Sequence, residues 1–119
     1  MCYYVYLLQE YPLESTPHCK VGFSKNPLKR LEQLQSGNPR YLRPYPHNHQ
    51  KPKEDFGIWF EQKETAVQFE TELLERLSNH GVRISRDSGG KLREWVECCP
   101  ELVWGIMIEM LPRFLPKDT

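Results

Sequence analysis

The chain predicts a small α/β (α+β) domain: a three-stranded, mainly antiparallel sheet flanked by helices. Three observations carry this. The first two dozen residues hold two short β-branched and aromatic runs, split by a proline-bearing loop. Later stretches repeat their apolar residues with helical period. The length, 119 residues, suffices for one hydrophobic core and is too short for two. Apolar residues at 39% and charged residues at 27% fit a soluble globular protein and argue against disorder.

Cys2–Gln9 reads as the first strand, and Glu10–Pro17, with two prolines, as a loop. His18–Ser24 reads as its hairpin partner. Ser24 or Asn26 can cap the helix that follows, and Pro27 suits its first turn. That helix turns Leu28, Leu31 and Leu34 inward and stops at Ser36-Gly37-Asn38-Pro39. Residues 40–55 read as a long basic loop, with Tyr41–Arg43 as a candidate strand start. Phe56–Glu61 is the third strand by composition. Glu64–His80 is an amphipathic helix ended by Gly81. Val82–Lys91, with Ser88-Gly89-Gly90, reads as a loop, and Leu92–Val96 as a short extended piece. Pro100 begins an apolar helix to about residue 111, which packs on the sheet or on another subunit. Residues 1–119 thus form a single domain.

One residue of the second helix breaks its pattern. At roughly 100° per residue, Ala66, Val67, Phe69, Leu73, Leu74 and Leu77 share one arc. Glu64, Glu72 and Glu75 lie opposite. Glu70 projects between Leu74 and Leu77, from within the apolar arc. A buried carboxylate needs a cation or hydrogen bonds, because desolvating it alone costs several kcal/mol. A salt bridge to Arg or Lys satisfies that need, and so does a metal ion.

Formal charge is zero, so the whole molecule does not point to nucleic acid. Its distribution does. Between positions 20 and 53, Lys20, Lys25, Lys29, Arg30, Arg40, Arg43, Lys51 and Lys53 face the single acid Glu32. That run presents a basic face to phosphate, with solvated surface charge as the plain alternative. Cys2, Cys19, Cys98 and Cys99 have no framework spacing and read as small residues of a reducing compartment. His47 and His49 sit in the proline-rich loop without matching ligands. No signal peptide or membrane span is legible, which places the protein in the cytoplasm.

Tyr4 and Tyr6 share a face of the first strand, Lys20 precedes Val21-Gly22 in the second, and Arg30 stands at the edge of the first helix's inward face. Phenol, amine, guanidinium and a half-buried carboxylate are the groups that phosphodiester hydrolysis uses. The runs Tyr4-Val5-Tyr6-Leu7-Leu8, Cys19-Lys20-Val21-Gly22-Phe23-Ser24 and Asn26–Pro39 resemble the GIY-YIG nuclease superfamily, closest to its phage-type T5orf172/MUG113 branch. Ala66…Glu70 and Arg93-Glu94-Trp95-Val96 match its later signature.

The resemblance implies a metal-dependent endonuclease that hydrolyses DNA by a one-metal mechanism. Tyr6 takes the general-base or water-orienting role, with Lys20 in place of the second triplet's tyrosine. Arg30 stabilises the scissile phosphate, and Glu70 anchors one Mg²⁺ or Mn²⁺. Tyr4 departs from the pattern, standing where the first triplet has Gly. The basic residues Lys25, Lys29, Arg40, Arg43, Lys51 and Lys53 are the expected nucleic-acid contacts. A catalytically inactive nucleic-acid-binding module of the same fold is the alternative. A partner-binding domain, or a homodimer, using the last helix is a third reading.

Overall fold

Nine residues, Tyr3–Tyr11, form the central strand β1 of a sheet whose strands all pair antiparallel. The computed structural model describes residues 2–11, 18–36, 41–46, 56–86 and 92–114. After β1 come β2 (Cys19–Ser24), α1 (Pro27–Ser36), β3 (Tyr41–Pro44), β4 (Ile58–Phe60) and α2 (Lys63–Asn79). β5 (Arg83–Arg86), β6 (Leu92–Glu97) and α3 (Pro100–Met110) follow, and α3 runs into a 3₁₀ turn at Leu111–Arg113.

The strand order is β3-β1-β2-β6-β5, with β4 also paired to β1. β3 lies along Leu8–Tyr11 and β4 along Tyr3–Val5, so the two sit end to end on one edge of β1. The expected three-stranded sheet is therefore corrected to six strands, and two expected loop or extended pieces supply β5 and β6. β5 is Arg-Ile-Ser-Arg. Pairing with a neighbour, rather than an apolar alternation of its own, makes it a strand.

Alternation along β1 sorts the core. Val5 and Leu7, with Cys19, Val21 and Val96, face Ala66, Phe69, Leu73 and Leu77 of α2 and Val103, Met107 and Met110 of α3. The opposite face carries Tyr6, Leu8 and Leu42, covered by Leu31 and Leu34 of α1 with Phe56 and Trp95. Phe69 joins Phe60 and Phe114 at ring separations of 5.2 and 5.1 Å, tying α2 to β4 and to the C-terminal turn. Gly57 holds φ at +101°, and a Cβ there would sit 2.5 Å from the Val5 carbonyl oxygen, so only glycine lets β4 begin this close to β1.

α3 packs on β1 and α2, the first of its two expected uses. Among its apolar residues, Leu102 and Ile108 each remain 46% exposed. Val67, expected on the inward arc of α2, lies at its margin and is exposed. No helix among the described residues is long and apolar enough to cross a membrane.

Candidate active site

The centre of the α1-covered face is a tyrosine lying across a glycine. β1 and β2 pair Tyr6 with Gly22 and Leu8 with Lys20, so Tyr6, Gly22 and Lys20 share this face. A Cβ built on Gly22 would stand 2.5 Å from Tyr6 Oη and 2.6 Å from Cζ. The missing side chain is what makes room for the phenol. Lys20 pairs with Trp95 across β2 and β6, and its Nζ lies 5.4 Å from the centre of that ring, within cation–π range. Phe56 meets Tyr6 edge to face at 5.9 Å. The pair is enclosed: Tyr6 is 2% and Lys20 6% exposed.

Arg30 comes from the helix over this face. Asn26 caps α1 with its Oδ1 accepting the Lys29 N–H at 3.1 Å, and Ser24 Oγ accepts the Asn26 N–H at 3.0 Å. At the other end, Gln35 Oε1 accepts the Leu42 N–H at 2.7 Å, fixing one flank of the helix to β3. Arg30 and Gln35 stand about 140° apart around the axis, so Arg30 leaves on the flank away from β3. It is exposed there.

Glu70 comes from the other layer. Its neighbours on the arc, Leu74 and Leu77, are buried, Glu70 is half-buried, and its Oε2 is sealed from solvent. The residue is held by a polar or electrostatic interaction of its own. Glu72 reaches Arg113 Nη1 at 3.0 Å and Phe69 reaches Phe114. Glu70 stands roughly 160° from the first and 100° from the second, so it leaves α2 on the flank turned away from the C-terminal turn. The sheet brings Tyr6 and Lys20 to one face, Arg30 stands exposed on the helix that covers that face, and Glu70 belongs to the helix layer on the opposite face. No group of three His, Cys, Asp or Glu is gathered as a metal cluster among the described residues. A lone carboxylate fits Mg²⁺, which takes one or two carboxylates and keeps several waters.

Of the basic residues, Lys25 and Lys29 are exposed, and Lys25 Nζ lies 5.4 Å from the Tyr3 ring centre. Arg43 pairs with Gln9, which turns it to the α2 face, where it is half-buried. Arg40, Lys51 and Lys53 lie outside the described residues, as do His47 and His49. Cys19 lies on the α2 face beside Lys20, and its thiol donates to the Cys98 carbonyl at 2.9 Å. Burial foremost, then the neighbouring Cys98, pushes the Cys19 thiol far above its ordinary range, which disqualifies it as a nucleophile.

Two contributors carry no signal as site residues in the sequence alone. Trp95 is legible as part of the later signature, yet its place under Lys20 emerges only from the β2–β6 register. Phe56 reads as the first residue of a strand and instead precedes β4, where it packs against Tyr6.

The family model of the T5orf172 domain matches residues 3–110. No curated protein and no solved structure matches the chain. A match over this much of the sequence, from the first strand to the end of α3, shows the family: the chain belongs to the T5orf172 domain family, the phage-type branch associated with GIY-YIG-like, nuclease-like domains.

Proposed function

We propose that this domain is a metal-dependent endonuclease that hydrolyses phosphodiester bonds in DNA, acting in the cytoplasm. The observation that carries the proposal is the phenol of Tyr6 laid across Gly22 with Lys20 on the same face. In this role the Tyr6 phenol takes or orients the proton of an attacking water. In this reading the water oxygen bonds to phosphorus as the bond to the 3′ oxygen breaks, and the released 3′ oxygen takes a proton from solvent water. Arg30 offsets charge on the phosphorane from the helix above. Glu70 holds Mg²⁺ or Mn²⁺, which when bound supplies further neutralisation of the phosphate. Lys25 and Lys29, with Arg40, Arg43, Lys51 and Lys53, supply backbone contacts. A homodimer through Leu102 and Ile108 of α3 belongs to the same proposal, and size exclusion over a range of concentrations tests it.

A second reading, a nucleic-acid-binding module without turnover, is favoured by two observations. Tyr6 and Lys20 are enclosed, and Glu70 belongs to the opposite layer. Supercoiled plasmid incubated with Mg²⁺, Mn²⁺ or EDTA separates the two. Nicking that needs metal supports the enzyme. DNA retarded on a gel but left intact with either metal supports the binding module.

A further inference from the structure

β4 is three residues long, and its alternation turns Ile58 and Phe60 toward the α2 face. Trp59 is left on the other side, paired with Tyr4 across β1 and 56% exposed. Tyr4 is two residues from Tyr6 on the same strand face, so Trp59 is the diagonal neighbour of Tyr6, with about 7–8 Å between their Cα atoms. α1, which covers this face, packs on β2 and β3 at the far side of β1 from β4 or along its later half. Among the described residues two large aromatic side chains stay exposed, Trp59 here and Tyr41 at the far end of the same edge, beside Leu42 and α1. Lys25 stands exposed at the same end of β1, beside Tyr3.

We infer that Trp59 is a stacking platform for an unpaired base next to the scissile phosphate. The inference rests on the nuclease reading and deepens it by naming the substrate class: nucleic acid with a single-stranded, gapped or flipped nucleotide at the site. Inside a duplex both faces of a base are already stacked. Away from the ends of a duplex, only an unpaired base presents a free π-face to an indole. The diagonal spacing keeps the base within about one nucleotide of Tyr6.

The test uses anisotropy of labelled oligonucleotides in EDTA, one single-stranded and one blunt duplex, with 2-aminopurine placed in the single strand. The wild-type chain, Trp59→Leu and Trp59→Phe are compared after circular dichroism has checked their folding. We expect Trp59→Leu to bind the single strand about tenfold more weakly, with duplex binding changed less than about twofold. Trp59→Phe recovers most of the affinity, and 2-aminopurine is quenched by the wild type and not by Trp59→Leu. Equal single-strand binding and equal quenching by Trp59→Leu overturn the platform while leaving the nuclease reading intact. Failure of the wild type to bind either oligonucleotide overturns both.

Discussion

A single methyl group at Gly22 tests how tightly Tyr6 is positioned. Gly22→Ala would place its Cβ 2.5 Å from Tyr6 Oη, so the phenol must leave its seat. We expect a loss of about 1–3 kcal/mol in urea unfolding, as for other overpacked cores. Because both changes act on one contact, Gly22→Ala with Tyr6→Ala should cost less than the sum of the single variants. The thiols give a second prediction at this scale. Burial first, with its neighbour Cys99, raises the Cys98 thiol to about 11 from an ordinary value near 9.0. The folded state therefore keeps this proton where the unfolded chain releases it. Its contribution to stability is whole below about pH 9 and is lost as pH rises toward 11. Cys98→Ala should flatten the fall of the urea midpoint across that range. In the native protein a thiol reagent should label exposed Cys99 first and Cys19 last.

The cap of α1 connects an element to the chemistry. Asn26→Ala removes the acceptor for the Lys29 N–H and should cost about 1 kcal/mol, read as a lower midpoint in thermal melts. Arg30, one turn further on, would then be held less firmly, and cleavage should fall by more than the loss of folded protein explains. This scale also shows what the sequence made legible. α1, α2 and α3 were readable because helical periodicity and caps are local, and Glu70 stood out for the same reason. β1 and β2 were readable from dense β-branched and aromatic runs. β5 was not, since Arg83-Ile84-Ser85-Arg86 has one apolar residue and becomes a strand by pairing with β6. Lys20 read alone as a surface lysine. Its burial depends on Trp95, which reaches it only through a pairing between distant segments. The placement of Glu70 across the sheet from Tyr6 was equally beyond a local pattern.

Over the whole molecule, a neutral chain with half of its 16 Lys and Arg residues, against a single acid, between positions 20 and 53 should bind nucleic acid through a local basic surface. Affinity should fall steeply with salt, and Lys25→Ala and Lys29→Ala should each lower the slope of log K against log salt by about 1 if each contacts a phosphate. A binding module and an enzyme share that behaviour, so salt dependence does not choose between them. Turnover does. The most direct measurement is the metal-dependent nicking rate of supercoiled plasmid by the wild type, Tyr6→Phe and Glu70→Gln, with gel retardation on the same preparations. Tyr6→Phe should lose about 10²–10⁴-fold in rate, the range typical of a proton-transfer group, and should still retard DNA. Glu70→Gln should cut as slowly at any Mg²⁺ concentration. Nicking by both variants at the wild-type rate would contradict the assignment of Tyr6 and Glu70 to the reaction.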